Sequence, residues 1–469
     1  MIKKTLCLLA LAAVLPACQP SDPVAAAWKQ AADIERHMRQ PEFPDRWLDI
    51  RDFGAVADSA TLCHESINRA ITECSLQGGG HVVVPAGHFL TGPITLKSHV
   101  DLHLQEGAVL DFASDRSLYQ PAVLTRWEGV DCYNTHPFIY AYGETDLGLT
   151  GKGIIDAHGQ DGWWSMCGAR KYGWEEGLPG QNLGGRARLL RSAEDRLPTD
   201  RRIMTPEDAL RPQTVNLYKC RSILIEDVTL LNSPFWVLHP LMCEDLWVRG
   251  VTVSNRGPNG DGCDPESCRN VVIENCRFDT GDDCIAIKSG RNNDGRRWAI
   301  PSENIIVRRC NMANGHGGVV IGSEISGGFR NLFVEDCVMD SPELERVIRI
   351  KTNTCRGGKI ENIFVRRVRV GQCREAVLKI NLHYEAREDC ARDFPPTVRN
   401  VHMQDVTCQK SRYGVLVMGL EGMDNVSDIR VSDCFFDNVE RGNRVEFASD
   451  VVFDHLHVNG ELTPAPEGI

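Results

Sequence analysis

The most regular feature of the sequence is a short run of alternating apolar and polar residues that returns many times in the C-terminal half. Each copy reads aliphatic, any residue, aliphatic, two mostly polar residues, then cysteine or an aliphatic residue. Alternation with a period of two predicts a β-strand, and a return every 28 residues, roughly, predicts a solenoid. The copies begin at Ile223, Leu246, Val271, Ile305, Leu332, Ile363, Val401, Ile429 and Val451.

A second strand-like run follows many copies, and no helical pattern separates the two runs. Several strands per copy without an intervening helix favour a right-handed parallel β-helix, an all-β fold in which successive copies stack as coils. A β-propeller, which needs four strands in about 40 residues, ranks second. The second runs span residues 284–288, 319–321, 347–351, 377–380 and 415–418.

The region before these repeats predicts a cap and an insertion. Ile67, Ala70, Ile71 and Cys74 recur at helical spacing, so we expect a helix that covers the open N-terminal end of the stack. Residues 46–469 then form one catalytic solenoid with a loop insertion at 165–211. The insertion has no periodic apolar face, and both a solvated loop and a role in a groove stay open. Its basic residues are Arg170, Lys171, Arg186, Arg188, Arg191, Arg196, Arg201 and Arg202.

The N-terminus predicts export. Lys3 and Lys4 precede an apolar run that is too short to span a bilayer, so residues 1–17 are expected to be a signal peptide. The run ends in a sequence that resembles a bacterial lipobox, with Cys18 as the lipidated residue. Residues 18–45 are then a tether, and the protein is placed in the periplasm or at the outer membrane. No other stretch predicts a membrane span.

Composition adds limits on the partners. With 469 residues, 42% of them hydrophobic, the chain can bury a large core. The net charge of −12 argues against a nucleic-acid partner, and an anionic substrate would need a local basic patch.

The 19 cysteines of an exported chain suggest disulfides, but several of them occupy a repeat position that other copies fill with Val or Leu. We therefore expect a ladder of buried free thiols at this position, and the pairing of the remaining cysteines stays open. The position holds Cys276, Cys310, Cys337 and Cys434, and in other copies Val228, Val251, Val368, Val406 and Leu456.

Candidate chemistry gathers between residues 259 and 351. Asp282 lies 11 residues after the start of its copy, and His316 lies 11 after the start of the next. Equal phase predicts neighbouring positions roughly 4.8 Å apart on one face of the stack. Asp261, one copy earlier, and Asp283 would join them in one groove.

Adjacent carboxylates disfavour each other's ionisation, so one pKa rises. The pair Asp282 and Asp283 could be a solvated turn, but its neighbours favour glycoside hydrolysis, which needs one proton donor and one or more groups that activate water. Arg349 and Lys351 share one strand face. They either neutralise the acids or bind a sugar carboxylate.

Four motifs together resemble those of the polygalacturonase family, glycoside hydrolase family 28. They are Asn259-Gly260-Asp261-Gly262, Gly281-Asp282-Asp283, Gly315-His316-Gly317 and Arg349-Ile350-Lys351. The resemblance runs from about residue 50 to the last repeats. Gly260 departs from the threonine that is frequent in the family, and it leaves Asn259 and Asp261 in place.

The resemblance implies an inverting hydrolase of α-1,4-linked galacturonate in pectin that acts without a cofactor or metal. It implies that Asp282 is the general acid, that Asp261 and Asp283 activate water, and that His316 supports protonation of the acid. It also implies that the substrate is bound by Arg349, Lys351, Asn259 and Tyr384.

Other activities stay open at this point. A pectate lyase would hold Ca²⁺ with clustered aspartates, a glycan-binding solenoid would release no sugar, and rhamnogalacturonan or xylogalacturonan hydrolases would use the same acids. The residues that follow the acid and histidine motifs, 289–292 and 322–324, resemble those of exo-acting bacterial members. We therefore expect release of mono- or digalacturonate from a chain end. We also expect the protein to be a monomer.

Overall fold

The repeat positions predicted from the sequence form one continuous ladder of parallel strands in the computed structural model, which describes residues 23–466. Ile223 pairs with Leu246, Leu246 with Val271, and the register continues without a slip through Ile429 to Val451. Each coil adds two further strands, which pair with their counterparts in the neighbouring coils. The predicted right-handed parallel β-helix is confirmed.

Three ladders of parallel strands run along the solenoid. The first comprises Trp47–Asp49, Gly80–Val84, Val100–Leu104, Thr145–Gly151, Arg221–Glu226, Glu244–Arg249, Arg269–Glu274, Ser302–Arg308, Phe329–Glu335, Lys359–Val370, Thr397–Cys408, Val426–Phe436 and Ser449–Val458. The second comprises Gly87–Thr91, Ala108–Phe112, Ile154–Asp156, Thr229–Leu231, Thr252–Asn255, Arg277–Thr280, Asn311–Asn314 and Val338–Met339, and continues in the second halves of the long strands. The third comprises Ile94–Thr95, Ile139–Tyr142, Val215–Tyr218, Leu238–Leu241, Ile285–Ile287, Val319–Gly322, Arg346–Lys351, Ala376–Asn381, Tyr413–Met418 and Arg444–Glu446.

The remaining elements lie outside the ladders. An antiparallel hairpin joins Val123–Trp127 to Val130–Asn134, and Glu461–Leu462 pairs with the last long strand. The α-helices of residues 23–466 are α1 (Pro23–His37), α2 (His64–Leu76), α3 (Gly185–Glu194) and α4 (Asn292–Trp298). Short 3₁₀ helices span Ile50–Phe53, Arg116–Tyr119, Trp164–Cys167, Arg170–Tyr172, Gln181–Leu183, Thr199–Arg201 and Pro206–Asp208. Among these described residues, none of the helices has the length and apolar character needed to cross a membrane.

The apolar core fills the interior of the coils, and the predicted cysteine position belongs to it. Cys276, Cys310, Cys337 and Cys434 are buried free thiols at the bend between the first and second ladders. Cys434 pairs in register with Leu456, which shows the interchange of thiol and aliphatic side chains. The ladder of buried thiols is therefore confirmed. The pairing that the sequence left open is a disulfide between Cys355 and Cys390.

The segment predicted as a tether needs a correction for residues 23–45. Within it, α1 buries Ala27 and Ala31, four residues apart, against Phe333 and Phe364 on the outer side of the first ladder. A contact between Arg308 and Glu35 adds an ion pair. The helix is docked because the outward "any residue" positions of these copies are themselves apolar. The predicted signal peptide and Cys18 lie outside the described residues.

The helix predicted near residues 62–74 is α2, and its buried face is the predicted one. Ile67, Ala70, Ile71 and Cys74 all belong to the core at the N-terminal end of the stack. The insertion 165–211 differs from the loop that was expected, because it contains α3. Leu189 and Ala193 of α3 are buried against the hairpin, in an apolar cluster separate from the core of the coils.

Candidate active site

The candidate residues meet at the bend between the second and third ladders. Asp282 and Asp283 lie between strands Arg277–Thr280 and Ile285–Ile287, and His316 lies at the same place one coil later. Asp261 lies at the corresponding bend one coil earlier, where its carbonyl accepts a hydrogen bond from Val237 N at 2.9 Å. The bend recurs in register, so chemically different side chains from three coils become neighbours.

The equal phase of Asp282 and His316 is confirmed at atomic distance. His316 N donates to Asp282 O at 3.0 Å, and His316 Nδ1 lies 2.9 Å from Asp282 Oδ1. Gly315 makes this approach possible, because a Cβ atom there would lie 2.5 Å from Asp282 O. The side chains of Asp282 and His316 therefore form a hydrogen-bonded pair at the surface of the groove.

Asp261, Asp282 and Asp283 each contribute a carboxylate oxygen to a group in which all the oxygens lie within 4.8 Å of one another. Lys351 Nζ lies 2.7 Å from Asp283 Oδ2, and Arg349 Nη1 lies 3.6 Å from Asp283 Oδ1. Both cations are 6% exposed. Of the two roles considered for them, neutralisation of the acids is thus visible in the structure.

Lys288 is a second ammonium group in this cluster, and the sequence analysis missed it. Its Nζ lies 3.2 Å from Glu324, 3.6 Å from Asp264 and 3.8 Å from Asp261. It also lies 4.4 Å from the centre of the Trp236 ring. Burial alone would lower the pKa of Lys288, but Glu324 and the two aspartates raise it well above its usual value.

The register of the third ladder contains a signal that would have found Lys288. Ile287 pairs with Ile321, which pairs with Ile350, so the residues that follow them, Lys288 and Lys351, share one phase two coils apart. Both second runs end in Ile-Lys, so aligning these runs relates the two lysines, whereas counting from the start of each copy does not, since Lys288 lies 17 residues and Lys351 19 residues after it. Glu324 has no such signal, because it lies in the loop after its strand. Asp264 lies between the bridge residues Cys263 and Glu266, which keep the register of Ile285 and Lys288, so it shares the phase of Ala286 and Arg349.

The acids have opposite pKa shifts. Burial, with Asp264 and Asp282 nearby, raises the pKa of Asp261 well above its usual value. Burial would also raise the pKa of Asp282, but the hydrogen bond from His316 and the lysines hold it below its usual range. That hydrogen bond raises the pKa of His316. In the pair of Asp282 and His316, the shifts therefore favour a proton on the imidazole that faces an ionised carboxylate.

A cavity of about 460 Å³ opens above these groups. Most predicted site residues line it, and Asp283 lies buried beneath Arg349 and Lys351. Those that line it are Asn259, Asp261, Asp282, His316, Arg349, Lys351 and Tyr384. The Tyr384 ring centre lies 5.4 Å from the Arg349 guanidinium and 5.1 Å from Lys351 Nζ.

The insertion closes one side of the cavity. Gln181 and Arg186 line it, and Arg186 contacts Glu128 of the hairpin at 2.8 Å. Glu128 also receives Arg291, at 3.2 Å. Of the basic residues listed for the insertion, Arg186 lines this cavity. Others have partners elsewhere, as Arg188 does in its ion pair with Asp208.

The three aspartate oxygens are close enough to ligate one cation. Lys351 already places an ammonium group on Asp283, and Lys288 places another near Asp261. These lysines supply the positive charge that a hard cation such as Ca²⁺ would bring to carboxylates. The arrangement matches two-carboxylate acid–base chemistry with cations poised beside it.

Comparison with known proteins agrees with this geometry. The sequence model of glycosyl hydrolases family 28 matches residues 204–439. A crystal structure of a hyperthermoactive exopolygalacturonase from Thermotoga maritima is 41% identical, covers 94% of this chain and 98% of its own, and superposes with a TM-score of 0.90. A probable polygalacturonase from Vitis vinifera is 29% identical over 88% of this chain and 78% of its own. An exo-poly-alpha-D-galacturonosidase from Dickeya chrysanthemi is 26% identical over 84% and 67%. With its coils, its three aspartates and these relatives, the chain belongs to glycosyl hydrolases family 28 and is a glycoside hydrolase.

Proposed function

We propose that the enzyme hydrolyses α-1,4-galacturonosidic bonds of polygalacturonate and acts from a chain end. The observation that carries the proposal is the cluster of Asp261, Asp282 and Asp283, with His316 bonded to Asp282 and two cations beside the cavity. Hydrolysis of a uronide needs a proton for the leaving oxygen, an activated water and a positive charge for the sugar carboxylate. Each of these has a residue here.

In this mechanism Asp282 protonates the leaving oxygen. The proton comes from the pair with His316, which holds one proton because the pKa of His316 is raised. When a substrate excludes water from the cavity, the neutral form of the pair, with the proton on Asp282, is favoured over two separated charges. His316 is then the positioning residue that supplies and regains this proton.

The water is assigned to Asp261 and Asp283. Ionised Asp283 is held in place by Lys351, and Lys288 stands 3.8 Å from Asp261. The carboxylate oxygens lie within 4.8 Å of one another, closer than the roughly 6.5–9.5 Å usual between the two carboxyl groups of inverting enzymes. Inversion therefore requires the water to lie beside the two aspartates, on the sugar face away from Asp282, rather than between acid and base.

The substrate carboxylate is assigned to the cationic side of the cavity. Arg349 has a buried Nε without a hydrogen-bond partner among residues 23–466, so its guanidinium retains donor capacity beyond its contact with Asp283. Arg186, brought by the insertion, faces the same cavity. A charged pocket of this kind favours an anionic sugar.

Cleavage at a chain end is supported by the insertion, because its Gln181 and Arg186, together with Glu128 of the hairpin, form a wall on one side of the cavity. The Thermotoga relative named an exopolygalacturonase shares 41% identity over nearly the full chain. Product chromatography on polygalacturonate tests the proposal. We expect galacturonate or digalacturonate from the first time point with little loss of viscosity. A ladder of intermediate oligomers would contradict cleavage at a chain end, and unsaturated products would contradict hydrolysis.

We also propose that the enzyme is exported, lipidated at Cys18 and monomeric. The apolar run before Cys18 and its lipobox-like end support the anchor, and the monomer is proposed because the residues assigned to the mechanism make a complete site without a contribution from a second copy. Labelling of cells with an alkyne fatty acid tests lipidation, with Cys18→Ala as the unlabelled control. Light scattering of the purified protein tests the monomer, and a dimer mass would contradict it.

A further inference from the structure

Arg211 is a buried cation beneath the active-site cavity, and the roles assigned above do not use it. Its side chain is 0% exposed. Among residues 23–466 its hydrogen-bond partners are neutral oxygens, and it forms no ion pair with a carboxylate. A buried charge without a counter-ion is costly for a fold. Its presence here indicates a role beyond packing.

The first part of its contacts joins two turns of the solenoid. Nη1 donates to Pro234 O at 2.7 Å and to Pro258 O at 2.6 Å. Pro258 stands directly before Asn259 and three residues before Asp261. The guanidinium carbon also lies 5.2 Å from the centre of the Phe235 ring. Arg211 therefore fixes the backbone that carries Asn259.

The second part of its contacts is made to two side-chain amides. Nε and Nη2 donate to Gln181 Oε1 at 3.2 and 3.0 Å, and Nη2 donates to Asn259 Oδ1 at 2.6 Å. A guanidinium can only donate hydrogen bonds, so both amides must turn their oxygens toward it. Their NH₂ groups then point away from Arg211.

Both amides line the cavity that contains Asp261 and Asp282. Within the part of the chain that the structure describes, neither Asn259 Nδ2 nor Gln181 Nε2 has a hydrogen-bond partner. One amide belongs to the insertion and the other to the loop of Asp261. Two oriented N–H donors that have no hydrogen-bond partner among the described residues therefore face the same cavity.

We propose that Arg211 is a positioning residue that holds the amides of Asn259 and Gln181 as a pair of hydrogen-bond donors to the oxygens of a uronate bound in the cavity. This inference rests on the proposed function. Lysine could not replace Arg211, because a single ammonium group cannot reach two amides and two carbonyls in the planar arrangement that the guanidinium fork provides.

A double-mutant comparison on trigalacturonate tests the proposal. Arg211→Lys is made in the wild-type enzyme and in a background that carries Asn259→Ala and Gln181→Ala. In the wild type we expect KM to rise about tenfold with kcat much less affected, because oriented donors to an anionic sugar are lost. In the background without the amides, the same change should alter KM less than about twofold, because residues that act through one another are not additive.

Arg116→Lys is the matched control, since Arg116 donates to Gly162 O and lies against Trp163, outside the cavity. It should leave KM unchanged. An equal rise in KM from Arg211→Lys in both backgrounds would overturn the proposal and leave Arg211 with a structural role. If Arg211→Lys does not fold, Asn259→Ala and Gln181→Ala are measured singly. Each should raise KM, with some loss of thermal stability because buried Arg211 loses a hydrogen-bond partner, and an unchanged KM in both would overturn the proposal.

The same experiment separates this inference from the proposed function. Galacturonate release by the wild-type enzyme together with additive KM effects would overturn only the role of Arg211. Absence of any release from trigalacturonate by the wild-type enzyme would overturn the proposed function, and this inference with it.

Discussion

Two of the three bends of the coils hold opposite kinds of side chain. The bend between the first and second ladders holds Cys276, Cys310 and Cys337 in successive coils, all buried among aliphatic neighbours. The bend between the second and third ladders holds Asp282 and His316 in successive coils. The same strand register places the cysteines next to one another at the first bend and the polar side chains next to one another at the second.

The difference lies in what each bend demands of its neighbours. A thiol can be exchanged for Val or Leu because the apolar contact is not directional, and Cys434 indeed stacks on Leu456. A carboxylate such as Asp283 needs its own cation, which arrives as Lys351 from a strand two coils later. The bend that holds the cysteines therefore tolerates apolar substitutions, whereas each charged side chain at the other bend depends on a specific partner.

The largest effect is expected at the polar bend from Asp282→Asn. The amide cannot deliver a proton to the leaving oxygen, so kcat should fall by about 10²–10⁴-fold while substrate still binds. Asp279→Asn is the matched control, because Asp279 pairs with Arg256 outside the cavity. Steady-state kinetics on trigalacturonate measure both, and near-normal turnover of the Asp282 variant would remove it from the acid role.

The next effect is expected on stability, when buried Asp283 loses Lys351 as its partner. Lys351→Met leaves Asp283 buried without its ammonium, so we expect a loss of about 3–5 kcal/mol in the free energy of unfolding. The double variant Lys351→Met with Asp283→Asn should recover most of that stability and none of the activity. Denaturant titration measures stability. A stable single variant would show that the pair is not energetically coupled.

A smaller effect is expected from the proton of the Asp282–His316 pair. Because the pKa of His316 is raised, the pair keeps its proton above the usual range of histidine, and kcat should fall only as pH rises through that raised value. In His316→Asn the carboxyl alone must hold the proton near two lysines, so the alkaline limb should move to lower pH. His455→Asn, exposed and remote, is the control. An unmoved limb would contradict the role of His316.

The smallest effect is expected at the apolar bend. Burial raises the pKa of the Cys310 thiol, which is therefore inert, and Cys310→Val changes the volume little. We expect a change below about 1.5 kcal/mol in the free energy of unfolding. Cys310→Asp, the matched variant, buries a charge without a partner and should unfold the protein. A large loss with valine would contradict the interchange of thiol and aliphatic side chains.

Contacts between residues at equivalent positions of successive repeats could be predicted from the sequence. The ladder from Ile223 to Val451 and the contact of Asp282 with His316 follow from counting residues between copies. Aligning the second runs, which end in Ile287-Lys288 and Ile350-Lys351, would also have found Lys288.

Contacts outside the register could not be predicted. The docking of α1 depends on Phe333 and Phe364, which occupy positions where any residue is allowed. The bonds of Arg211 to Gln181 and Asn259 join an insertion to the coils, and the fold of an insertion has no periodicity from which to read it. The disulfide of Cys355 and Cys390 likewise links two loops.

Proton NMR of the anomeric signal newly formed during hydrolysis of polygalacturonate, which has few reducing ends at the start, tests the central claim most directly. If Asp261 and Asp283 hold the water on the face opposite Asp282, the α-bond is broken with inversion and the β-anomer of galacturonate appears before mutarotation. Initial release of the α-anomer would contradict the account, because it would mean that one of the closely spaced carboxylates attacks the sugar itself.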